Sequence, residues 1–125
     1  MMKTLAQFSL AVLFLMPLGL AAQSPAGSWK LNVPDEKGNM IPVYVDISGN
    51  GTYTLDFGAD GTVDSRGKYS LDNDKMTIQD TEGSDCTEAG VYAFKNNGNT
   101  LTMTRISDAC ANRGGPEGVM TLDKR

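Results

Sequence analysis

The chain contains no histidine among its 125 residues. That absence removes the commonest general base near neutral pH and the commonest metal ligand, and with them Ser-His-Asp, Cys-His and histidine-zinc chemistry. Basic residues are few, with 11 Lys and Arg against 15 Asp and Glu for a net charge of −4. Nucleic acid and anionic membrane surfaces are bound through clustered lysines and arginines, so neither is expected as a partner. The two cysteines, Cys86 and Cys110, lack the Cys-x-x-Cys spacing or the neighbouring histidine that would activate a thiol. Carboxylates are plentiful, but they fall in turns where solvation is expected, and no enzyme activity is read from them. Beyond residue 22 there is no apolar stripe at helical spacing and no run apolar enough to insert in a membrane.

What is present begins with an export signal. "MMKTLAQFSLAVLFLMPLGLAAQ" has an early positive charge at Lys3, an apolar run from Leu10 to Leu20, and small residues at Gly19, Ala21 and Ala22, the pattern of a signal peptide over 1–22. No cysteine stands at the cleavage site, so no lipid anchor is indicated, and the expected product is soluble and secreted or periplasmic. The remaining chain, 23–125, is about 103 residues and one domain by length. Losing Lys3 leaves 10 basic against 15 acidic residues, a mature net charge of −5. An even cysteine count in an oxidising compartment favours a Cys86–Cys110 disulfide, whose loop entropy is worth roughly 3 kcal/mol.

The mature chain reads as eight short segments of alternating apolar and polar residues. One face carries Trp29, Leu31 and Val33, then Ile41, Val43, Val45 and Ile47, then Tyr53, Leu55 and Phe57. It continues with Val63, Gly67, Tyr69 and Leu71, then Met76 and Ile78, Tyr92 and Phe94, Leu101 and Met103, and Met120 and Leu122. Turn chemistry separates them: "SGNG" at 48–51, "GADG" at 58–61, "DND" at 72–74 and "NNGN" at 96–99. Connections this short exclude most parallel crossovers, so the expected fold is all-β, an eight-stranded antiparallel up-and-down barrel that hides its own edges, with a two-sheet sandwich as the alternative.

Two patches carry a resemblance. Gly27-Ser28-Trp29 opens the first strand, and "GVYAFKNNGNTLTMTRISDACANR" places Gly90, Tyr92, Leu101, Asp108, Cys110 and Arg113 in a recurring order. In both, the chain resembles the calycin superfamily, in particular the small secreted lipocalin-like domains of bacteria, and the resemblance makes Cys86 the partner of Cys110. It departs from full-length lipocalins in being shorter, in showing no C-terminal helix and in lacking a Thr-Asp-Tyr patch. The resemblance further implies a basic residue lying over Trp29 to close that end of the barrel, with Gly27 giving the chain room to cross. Arg113 is the first candidate for that cap and Arg105 the second, because it shares the face of Leu101 and Met103.

Three functional classes follow. In a binding module, the inward residues Val43, Val45, Tyr53, Leu55, Phe57, Tyr69, Met76, Ile78, Phe94 and Met103 line a cup for a small apolar ligand, against the alternative that they simply fill the barrel. In an envelope interaction or inhibitory module, the acidic loops 79–90 and 107–118, stapled by the disulfide, meet a protein partner. An enzyme is the least supported class. "DFGADGTVD" sets Asp56, Asp60 and Asp64 in a spacing reminiscent of a calcium loop, but Gly58 and Gly67 occupy two ligand positions, so a turn is the expected reading and no metal or cofactor is assigned. The "NGT" at Asn50 is likewise read as turn chemistry. Ligand, partner and oligomeric state are left open by these residues.

Overall fold

Eight antiparallel strands close into one barrel: β1 (Gly27–Pro34), β2 (Met40–Ile47), β3 (Thr52–Phe57), β4 (Ser65–Asp72), β5 (Lys75–Glu82), β6 (Gly90–Asn96), β7 (Thr100–Asp108) and β8 (Val119–Lys124). The structure, a computed structural model, describes residues 24–111 and 113–125. The signal peptide expected over 1–22 lies outside the described residues. Each strand pairs with its neighbours in sequence, and β8 returns to β1, so the barrel replaces the sandwich alternative.

The period-2 pattern sets the register. Trp29 stands opposite Val45 and Leu31 opposite Val43, while Leu101 faces Leu122 and Met103 faces Met120. These pairs bring the inward residues of adjacent strands together into one buried core. Two expectations about the inward face fail at its margins. Val63 lies in the β3–β4 connection rather than on a strand and is exposed, and Leu71 is exposed at the end of β4. Alternation alone cannot tell where a strand begins or runs past the core.

An up-and-down order puts the barrel's two ends to different uses. The start of β1, the end of β8 and the 48–51, 73–74 and 97–99 hairpins share one end; the β1–β2, β3–β4, β5–β6 and β7–β8 connections share the other. At the first end, residues 24–26 fold across the opening. Pro25 is fully buried, the Trp29 Nε1–H donates to its carbonyl at 3.0 Å, and the Asn96 side-chain amide donates to the Ser24 carbonyl at 2.7 Å. Gly27 has φ +148°, and a Cβ there would lie 3.2 Å from the Trp29 ring, so the residue two before the tryptophan must be small for the ring to tuck beneath it. The seam that closes the barrel is short, pairing only Trp29 with Lys124 and Lys30 with Asp123, all toward this end.

Trp29 is 1% exposed. As the only tryptophan, it should emit at short wavelength and resist iodide quenching. A red-shifted, freely quenched emission from the folded protein would contradict this packing.

Candidate functional site

The opposite end of the barrel is open. A cavity of about 480 Å³ runs down from it, walled by Leu31, Val33, Val43, Val45, Ile47, Leu55, Met76, Ile78, Met103, Met120 and Leu122. Of the residues expected to line a cup, Val43, Val45, Tyr53, Leu55, Phe57, Met76, Ile78 and Met103 do so. Phe57 stands at the rim and is 42% exposed. Tyr69 and Phe94 do not line the cavity: Phe94 is buried in the core, and Tyr69 packs against that core while its hydroxyl donates to the Ser48 carbonyl near the closed end. Trp29 is absent from the lining as well, so it plugs the closed end rather than forming the floor.

The disulfide joins Cys86 in the β5–β6 connection to Cys110 in the β7–β8 connection, with Cα atoms 5.9 Å apart. Both cysteines line the cavity mouth, so the staple spans two of the four loops that surround the opening.

Arg113 does not cap Trp29. It belongs to the β7–β8 connection, at the end of the barrel opposite the tryptophan, and its guanidinium is bound there. Nε and Nη2 each donate to the Asp108 carboxylate at 2.8 Å, and Nη2 also donates to the Glu88 carbonyl. Nη1 reaches Asp80 at 3.4 Å. Arg105 does not cap Trp29 either. Its inward face, which the alternation indicated, directs Nη2 to the carbonyls of Arg113 and Gly115, both at 2.7 Å, so it anchors the same connection. The arginine that reaches the first strand is Arg125, on the outside: its amide donates to the Ser28 carbonyl, and its guanidinium lies 4.0 Å over the Tyr44 ring and pairs with Asp46. Nothing in the alternation pattern marks an outward cation–π pair.

The Gly90, Tyr92, Asp108, Cys110 and Arg113 patch is a single buried knot. Asp108 has a fully buried side chain that accepts from the Tyr92 hydroxyl at 2.6 Å, from the Cys110 amide at 2.8 Å and from Arg113. Gly90, paired with Asp108 across the strands, leaves it space, since a Cβ there would come within 2.5 Å of the carboxylate. Burial alone would raise the Asp108 pKa, but the hydrogen bonds from Arg113, Tyr92 and the Cys110 amide outweigh it and hold the carboxyl below its ordinary value. Arg113 is held above its ordinary value, chiefly by the hydrogen bond to Asp108.

A second polar group enters the cavity wall from β3, β4 and β5. Tyr53, Gly67 and Asp80 are successive register partners, so the tyrosine ring lies over the glycine and its hydroxyl donates to Asp80 at 2.6 Å. Burial and then the bond to Asp80 push the Tyr53 phenol well above its usual range. A Cβ on Gly67 would sit 2.1 Å from the Tyr53 ring. Gly67→Ala should therefore displace the ring, break its bond to Asp80 and lower stability by about 1–3 kcal/mol in urea denaturation. An unchanged midpoint would show that the ring can move without loss.

In the β3–β4 connection the carboxylates of Asp56, Asp60 and Asp64 come within 4.8 Å of one another. Asp56 accepts from the amides of Asp60 and Gly61, Asp60 from Thr62 and Asp64 from Phe57, as the turn reading expects. Alternation made Ile47, Met120 and Leu122 legible as inward residues, though not as cavity wall. Ser65 and Asp80, which also line the cavity, continue the inward faces of Gly67 in β4 and of Met76 and Ile78 in β5 but are polar, so apolar alternation does not mark them, while Asp85 and Gly114 lie in loops that carry no periodic signal. Among known proteins, no family model matches the chain, and neither a curated protein nor a solved structure matches it.

Proposed function

We propose that this protein is an exported, lipocalin-like member of the calycin superfamily that holds a small apolar ligand inside its barrel, without catalysis. The observation that carries the reading is the cavity of about 480 Å³, walled by aliphatic and methionine side chains and open at one end. That size falls in the range of small-molecule sites, and eight-stranded barrels are wide enough to hold one such molecule. The Cys86–Cys110 disulfide is compatible with an oxidising extracellular or periplasmic location, which supports export. The neutral probe N-phenyl-1-naphthylamine should bind saturably with enhanced fluorescence, and native mass spectrometry of protein taken from its exported compartment should carry a small-molecule adduct. No enhancement together with a clean apo mass would sink the reading. Trp29 lies outside the cavity lining, so its emission need not respond.

A second reading, an envelope interaction or inhibitory module, is supported by the same end of the barrel. The stapled connections there are flanked by exposed Met40, Phe57 and Val63. A partner protein captured by the apo form, and released when the 79–90 and 107–118 segments are altered, would favour it.

A further inference from the structure

The cavity wall is apolar except near its mouth, where the charges are unequal. Asp80 and Asp85 line it as carboxylates and Arg113 as the one cation among the described lining residues. The Arg113 guanidinium is already committed: Asp108 takes two of its hydrogen bonds from behind and the Glu88 carbonyl a third. Asp80 receives the Tyr53 hydroxyl at 2.6 Å but only a long contact of 3.4 Å from Arg113. An ionised carboxylate has about four acceptor positions, so Asp80 retains capacity toward the cavity. It is only 8% exposed, which makes an unused acceptor there costly and a donor from a ligand favourable.

We infer that the barrel selects amphiphiles by head-group charge: an apolar chain with a hydrogen-bond-donating head placed at Asp80, ammonium preferred to hydroxyl and hydroxyl to carboxylate. The inference rests on the container reading above. An anionic head would be desolvated beside Asp80 and Asp85, with the lining guanidinium of Arg113 neutralised by Asp108 and Arg105 outside the cavity lining with its Nη2 on the Arg113 and Gly115 carbonyls, and would meet repulsion with little compensation. An ammonium head in the same place gains a charge-assisted bond in a water-poor site.

The test is displacement of N-phenyl-1-naphthylamine by dodecylamine, dodecanol and dodecanoate, at neutral pH and below micelle-forming concentrations. Dodecylamine should displace the probe at about tenfold lower concentration than dodecanol, with dodecanoate weakest. Dodecanoate equal to or better than the other two overturns the inference while leaving the container reading intact. Failure of both the probe and dodecanol to bind removes the container reading and this inference with it. Asp80→Asn should abolish the ammonium advantage, bringing the displacement concentrations of dodecylamine and dodecanol together. Should that variant fail to fold, Asp85→Asn, at an exposed position, should reduce the advantage by about twofold. An advantage that survives every variant that folds belongs to the outer acidic surface and overturns the assignment.

Discussion

Replacing Arg113 with alanine should lower the unfolding free energy by about 3–5 kcal/mol, the usual consequence of removing one partner from a buried ion pair. The substitution leaves Asp108, whose side chain is fully buried, without its two charged donors and with only the Tyr92 hydroxyl and the Cys110 amide, and leaves Asp80 with only Tyr53. For a domain of this size the loss is a large share of total stability. A loss under about 1 kcal/mol, typical of exposed pairs, would show that water replaces the guanidinium freely. The pH dependence gives an independent check. In the native protein the folded-state pKa of Asp108 is depressed, so its stabilisation is present above the unfolded value near about 4 and is lost as pH falls through the folded value. In Arg113→Ala burial should dominate, raising that pKa and reversing the slope, so that mild acidification stabilises the variant. Trp29 emission from the folded variant should not change, because the two residues sit at opposite ends of the barrel. A red shift in the folded state would restore the capping role.

Cys86→Ser with Cys110→Ser should lower stability by roughly 3 kcal/mol through the freed denatured chain. In a domain of this length that corresponds to a fall in melting temperature of roughly 10–20 °C. The two sulfurs also hold loops at the cavity mouth, so the variant should bind N-phenyl-1-naphthylamine more weakly even at temperatures where it remains folded. A reductant acting on the native protein should reproduce both changes. A drop of only a few degrees with unchanged probe affinity would show that the staple neither limits the unfolded chain nor shapes the opening.

At Arg113 the strand order and the family resemblance point to opposite ends of the barrel. Once the meander has eight strands in order, the connection after β7 must lie at the end where β1 finishes, away from where β1 begins. Strand counting alone therefore puts Arg113 and Trp29 at opposite ends, against the capping role that the resemblance implies. Tyr69 and Phe94 illustrate a different limit. Both alternate inward as expected, yet one reaches toward the closed end and the other is covered by core, and period 2 reports a face without reporting a depth.

The sequence by itself determined the all-β class, the antiparallel order of the strands, the inward face of nearly every one and the Cys86–Cys110 pairing. Those features depend on local or countable properties: alternation along a strand, Asn-Gly and Asp-rich turns too short for crossovers, and an even count of two cysteines. Only the tertiary structure decided that the barrel is hollow at one end and plugged at the other, and that Asp108 rather than Trp29 holds Arg113. Those outcomes depend on the short β1–β8 seam, on side chains meeting across dozens of residues, and on glycines such as Gly67 and Gly90 whose missing Cβ matters only because Tyr53 and Asp108 arrive above them. The meetings of Tyr53 with Gly67 and of Asp108 with Gly90 follow from register and closure of the whole sheet, whereas the Asp108–Arg113 and Trp29–Pro25 contacts are short in sequence and are set by how the β7–β8 connection and residues 24–26 fold at the two barrel ends.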